Sequence, residues 1–458
     1  MLLILKTSLW SVVCTILLSS SALAEPSMHK IATFSADVTI PIGHRCMGVL
    51  PMKSKKIVDP LYAHGFVLLG ADKPIVVCAV DWCEIRNGAY DQWREALAKA
   101  ADTSRERVLL SSLHQHDAPV TDLGAAKILE DVGLEGELYD EAFHDRTVAR
   151  VAKALKDSLD ELTPITHLGT GQARVKDIAS NRRVIDANGK VGFHRGSRSG
   201  ANKFHSEAPE GLIDPFLKTL SFWNGDKPVL AMHSYATHPM SYYGRGEVSS
   251  DFVGLARNRR QRDDFSVRQI YVSGCSGDVT AGKYNDGSHD SRVELIERMY
   301  QAMVDAWKVT RRAPLEKLAF RNTKFQLEIH PKANLTEESL ENAVKDTDRT
   351  VKKRILAAMG LSSRRRVASG QEIDLPCIDF GVAQVVLFPG EAFVGYQLMA
   401  QKMSSDSFVF SIGYGECWPG YIPTKSAFDD NFQDVWLWVA PGSEERIRKA
   451  LQQVLLEE

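Results

Sequence analysis

The apolar run "RVLLSSLHQHDAP" closes on two histidines, His114 and His116, separated by one residue. Side chains alternate along a strand, so a strand ending here projects both imidazoles from one face. Two imidazoles on one edge can share a metal, or one can bind it while the other carries a proton. Either can equally be a hydrogen-bonded core residue. "MHSYATHPMS" repeats the arrangement: His238 follows the apolar "PVLA" run and precedes Pro239, while His233, inside the strand, reads as packed. In "VVLFPGEAF" a Pro-Gly turn delivers Glu391, which either faces a cation or complements the dipole of the helix "AFVGYQLMAQKM". In "GECWPGYIPT", Tyr421 is a packing wedge, or a ligand if a metal lowers its pKa from about 10. "YVSGCSGDVTAGKYNDG" places Cys275, Asp278 and Thr280 in a glycine-rich turn whose N–H groups could face an oxyanion. It has neither a GxSxG frame nor a terminal Gly-Lys-Ser/Thr, and no histidine adjoins Cys275 to activate it as a nucleophile.

These residues come after strand-like runs, where ligands collect in open α/β sheets. Strands "HGFVLLG", "PIVVCAVDW" and "RVLLSSL" alternate with the helical patterns "AYDQWREALAKAAD" and "DEAFHDRTVARVAKALKDSLDEL". "KTLSFW", "KPVLAMHSYA" and "RQIYVSG" precede the helix "SRVELIERMYQAMVDAW"; "LPCIDFGVAQVVLFPG" and "SFVFSIGYG" are further β pieces. The alternation predicts a large α/β domain with a mixed sheet and flanking helices. One charged helix is expected over residues 336–359 and another over the last sixteen or so. The Gly/Ser/Arg-rich residues 189–209 are expected to form a loop or lid. No internal repeat is visible.

Residues 1–24 carry one charge, Lys6, then an apolar run and an Ala-Leu-Ala ending, the pattern of a secretory signal cut after Ala24. The remainder, residues 25–458, is expected to be one catalytic-size domain in a secreted or periplasmic setting. A net charge of −2 argues against nucleic acid as the main partner. The short runs "RNRRQR", "KKR" and "RRR" read as solvated faces. Outside the signal, Cys46, Cys78, Cys83, Cys275, Cys377 and Cys417 permit disulfides, with buried thiols favoured; no CxxC suggests a zinc ribbon or redox site.

In chain order, "HQHDAP", "SNRR", "CSGDVTA" and "GYIPT" resemble motifs of the catalytic domain of the neutral/alkaline non-lysosomal ceramidases. The resemblance runs from about Ile31 to the C-terminus, without that family's C-terminal immunoglobulin-like domain. It implies a Zn2+ site formed by His114, His238, Glu391 and Tyr421, with His116 in an acid/base or supporting role. It further implies catalytic roles for Arg182, Asp278 and Thr280, and substrate contacts from Asn181, Arg182 and Cys275. Thr280 stands where the family has serine, and Cys275 where it has asparagine. The implied activity is hydrolysis of an N-acyl, ceramide-like amide, with peripheral membrane contact for access to lipid. An esterase-type or non-catalytic ligand-binding relative is the alternative. A metallo-β-lactamase reading is discounted, because that motif continues His-x-His-x-Asp-His, whereas Asp117 follows His116 directly here and the motif's third histidine is missing.

Overall fold

A computed structural model describes residues 29–47 and 52–456; the expected signal segment lies outside them. Three large sheets share one interior. The first has the order Val108–Ser112, Ile75–Val80, Tyr62–Leu69, Lys30–Asp37, Thr163–Pro164. The second runs Arg268–Ser273, Lys227–Tyr235, Phe216–Asn224, His167–Arg174, Arg311–Pro314. The third runs Phe408–Ile412, Ala383–Leu387, Ile373–Asp379, Ala319–Phe325. Phe66, Val77 and Leu109 from the first sheet meet Phe222, Met232 and Ile270 from the second and Val385, Phe410 and Ile412 from the third in one apolar core. With both faces covered, the strand Ile75–Val80 is buried at every residue, which is why its sequence is continuously apolar rather than alternating.

The sheets are mixed, as expected, and they also repeat one plan. In each, three strands pair antiparallel in succession; a helix then leads to a fourth strand, parallel to the third. The connecting helices are Asn87–Ala101, Asp251–Asp263 and Val394–Met403. The molecule therefore contains a threefold repeat, contrary to the expectation of none. A β-β-β-α-β unit needs only apolar strands and an amphipathic crossover, and many unrelated sequences satisfy that pattern.

The three parallel pairs meet at their carboxyl ends. Ser112 N–H donates to Tyr414 O (2.9 Å), Gly413 N–H to Ser273 O (2.7 Å), and Ser273 Oγ to Leu113 O (2.8 Å). The loops that carry His114, His116, His238, Cys275, Asp278, Glu391 and Tyr421 follow the strands of these pairs.

Three further expectations change. The helix foreseen over residues 336–359 is two helices, Glu337–Lys345 and Val351–Ala368. Asp346 turns the chain by accepting from Asp348 N–H (3.0 Å), and Thr350 caps the second helix at Lys353 N–H. Residues 189–209 form the expected loop, but with a short helix at Lys203–Glu207 and with buried Arg195 gathering the carbonyls of Asn181, His205, Ala208 and Pro209 around its guanidinium. The basic runs are not uniformly solvated either. Arg257 is buried in a two-armed pair with Asp81 (2.7 and 2.9 Å), the half-buried Arg366 forms one with Asp91 (2.7 and 3.1 Å), and buried Arg354 donates from Nε to Val344 O (2.7 Å). The six cysteines among the described residues are free and buried. No helix of the described residues is long and apolar enough to cross a membrane.

Candidate metal centre

One residue from each sheet's switch-point loops reaches a common point. His114 leaves the first sheet two residues after Ser112, with a positive φ of 70° that turns its ring inward. His238 follows the second sheet's Lys227–Tyr235 strand, and Glu391 follows Ala383–Leu387 of the third. His238 Nε2 lies 3.0 Å from Glu391 Oε2, and His114 Nε2 lies 3.3 Å from the same oxygen. Both histidines are locked from behind. His114 Nδ1–H donates to Cys83 O (3.0 Å), and His238 Nδ1–H donates to Ser276 O (2.6 Å). Such tethering fixes the tautomer and turns the Nε2 lone pairs toward the centre, the orientation that metal-ligating histidines have.

His116 completes the cluster. A ligand atom from each of His114, His116 and His238 lies within 4.8 Å of the others. His116 is 6 % exposed, yet neither ring nitrogen has a hydrogen-bond partner among the described residues. A buried imidazole left unpaired costs on the order of 1–3 kcal/mol. The cost is removed by something the chain does not itself supply: a cation, a water or a substrate.

Charge is arranged to match. Burial opposes ionisation of Glu391, but His114 and His238 override it and hold its carboxyl well below the usual range. Burial and the Arg182 charge bring His238 down to about 4; burial, His114 and His238 hold His116 well below its ordinary value. Burial also opposes protonation of His114, but Glu391 prevails and raises its pKa. Neutral imidazoles beside an anionic carboxylate form a nitrogen and oxygen donor set that suits zinc-type divalent ions.

A 230 Å³ cavity opens onto the cluster, with His114, His116, Glu391, Tyr421 and Arg182 in its wall. Tyr421 pairs with Glu391 across a short parallel bridge, its ring centroid 6.4 Å from that of His238. The Arg182 guanidinium carbon lies 5.7 Å from the Tyr421 ring centroid, and its Nε has no hydrogen-bond partner among the described residues. Burial pushes the Tyr421 phenol well above its ordinary value, against the opposing Arg182 charge.

The other expected residues stand behind the wall rather than in it. Asn181 Nδ2 donates to Leu212 O (2.8 Å) and Asp278 Oδ2 (2.9 Å). Asp278 Oδ1 accepts from Val394 N–H (2.8 Å), pinning the helix that follows Glu391. Thr280 Oγ1 accepts from Gly282 N–H (3.0 Å), and the Thr280 backbone bridges to His238. Cys275 donates its N–H to Gln397 Oε1 (3.0 Å), and burial raises its thiol well above the thiolate-forming range.

Three neighbours escaped the sequence reading. Tyr414 stacks on His114 (4.2 Å between centroids, 15° between planes), and its hydroxyl meets Ser276 Oγ at 2.7 Å. Tyr243 packs edge-on to His116 at 5.0 Å. Glu84, wholly buried, accepts from Trp436 Nε1 (3.0 Å) and from Arg86 (2.9 Å), and groups with His114 and Glu391. It lies four residues beyond Val80, as Glu391 lies four beyond Leu387, so the rule that singled out Glu391 would have found it.

The fold of three mixed sheets is similar to that of solved ceramidases. Neutral ceramidase from Pseudomonas aeruginosa superposes with a TM-score of 0.68 at 15 % identity, covering 94 % of this chain and 74 % of its own. A ceramidase structure described as complexed with C2 gives 0.68 at 13 %, covering 93 % and 75 %. No family model and no curated protein matches the sequence.

Proposed function

We propose that the protein is an exported, zinc-dependent hydrolase of the amide bond in N-acyl, ceramide-like lipids. The observation that carries this reading is the convergence of His114, His116, His238 and Glu391, with His116 buried and unpartnered, at the end of an open cavity. His114, His238 and Glu391 would hold the ion, with Tyr421 at its edge. Bound there, a divalent ion supplies the Lewis acidity that makes water nucleophilic near neutral pH. Arg182, a fixed cation in the cavity wall, orients the substrate carbonyl and stabilises the negative charge that develops on its oxygen. Water adds to the carbonyl carbon, the C–N bond breaks, and a carboxylic acid and an amine leave. His116, neutral at rest, takes a proton from the attacking water and delivers it to the departing nitrogen. Asn181, Asp278, Thr280 and Cys275 support these groups through the hydrogen bonds given above. The pattern of residues 1–24 supports export, and a lipid substrate supports peripheral contact with membranes.

Elemental analysis of the purified protein, with mass spectrometry of an N-acyl amide panel before and after incubation, tests this. About one zinc per chain and release of free acid are expected, both lost in His238→Gln. A His238→Gln protein that keeps its metal and its turnover overturns the reading. Ligand retained without consumption would mark a binding protein instead, and cleavage confined to esters an esterase.

A further inference from the structure

The catalytic cavity does not end at its own wall. A second cavity of 410 Å³ adjoins it, and the two share Leu356, Asp434 and Val435. Its floor is apolar, with Leu335, Leu340 and Trp438 buried in it. Its charged residues are mainly cationic, Lys332, Lys353 and Arg349 against the single acid Asp434, with Asn334 and Ser339 as neutral polar neighbours. Lys352 sits one residue from Lys353 on the rim of the catalytic cavity. Arg349 is engaged by Asp346 at 3.0 Å, but Lys332, Lys352 and Lys353 have no carboxylate within ion-pair distance among the described residues.

The lysines are also misplaced by the rules of helix stability. Lys352 and Lys353 occupy the first turn of the helix Val351–Ala368, where the macrodipole disfavours cations and no acid is present. The helix's positive end thus carries two ammonium groups without an acidic partner among the described residues, Lys352 on the catalytic cavity and Lys353 on the adjoining one. Departures from local preference of this kind concentrate where a ligand compensates them.

We infer that the second cavity is the subsite for an anionic group on the substrate: the acyl amide carries a carboxylate, sulfonate or phosphate, which Lys332, Lys352 and Lys353 receive. This rests on the hydrolase reading and narrows its substrate class. An apolar floor with a cationic rim suits an amphiphile whose charged end is held while its amide lies beside Arg182.

The test uses the metal-loaded protein and acyl amides of one chain length, built on ethanolamine (neutral), glycine (carboxylate), taurine (sulfonate) and phosphoethanolamine (phosphate). The expected result is a kcat/KM at least tenfold higher for one or more anionic amides than for the neutral one. That ratio should fall toward one in Lys332→Gln/Lys353→Gln and, in the wild type, as salt rises. A ratio near one in the wild type, or a ratio unchanged in the double variant, overturns the inference while leaving the hydrolase reading intact. If no amide is cleaved, calorimetric titration with the same compounds decides. Anion-selective binding lost in the double variant supports the subsite while the hydrolase reading falls. Equal binding of neutral and anionic amides overturns the subsite.

Discussion

His116 shows how much a single side chain can reveal. Its two buried nitrogens are unsatisfied, so the metal-free protein bears a desolvation cost that an apolar residue of similar volume would not. His116→Leu should therefore stabilise the chelator-treated protein by about 1–3 kcal/mol in denaturant unfolding while removing amide turnover. Equal or lower stability in the variant would mean that the imidazole is satisfied in solution. The sequence made His114, His238 and Glu391 legible because each follows an apolar strand at a turn. It could not show that Asn181 and Asp278 face each other instead of the cavity, since both are ordinary polar loop residues until the fold pairs them. Tyr414 was equally hidden: an aromatic after "FSIG" carries no mark of the imidazole it stacks on.

At the level of elements, the loop bearing Glu391 is held by its neighbour. Gly277 N–H donates to Ala392 O (3.0 Å), and a Cβ at Gly277 would collide with the carbonyl oxygen of Glu391. Gly277→Ala should push that loop outward, destabilise the fold by about 1–3 kcal/mol and reduce bound metal, read by denaturant titration and elemental analysis. Normal metal content in the variant would show that the loop repositions freely. Helices such as Asn87–Ala101 and His289–Lys308 were legible from their apolar spacing. The break at residues 346–350 was not, because it depends on side-chain caps at Asp346 and Thr350 competing with a charged, helix-compatible sequence.

The whole molecule is three copies of one chain path around a shared interior, joined where their strands end, and buried charges tie that junction to the outer helices. Glu416, in a loop of the third sheet, accepts from Asn87 N–H (2.9 Å) at the start of the first crossover helix and faces Arg366 on Val351–Ala368. Burial pushes its pKa up to about 7, with Arg366 opposing. The native state thus holds this proton more tightly than the unfolded chain does, at about 4.3. Its contribution is fully present below that value and is lost as pH rises through 7. Glu416→Gln should flatten the fall in unfolding free energy between pH 4.5 and 7 by on the order of 2–3 kcal/mol. Parallel pH profiles for variant and wild type would refute this. The repeat itself was invisible in sequence, because each copy meets the same strand plan with different apolar residues and ends in different polar ones: Glu84 and His114, His238 and Cys275, Glu391 and Tyr414. The hydrogen bonds among Ser112, Ser273, Gly413 and Tyr414 have a kinetic corollary: the backbone amides of Ser112 and Gly413 should trade protons with deuterated solvent only when the entire protein opens. The candidate metal centre would then occupy the slowest-breathing spot in the molecule, and motion needed to admit a ligand would fall to the outer rim.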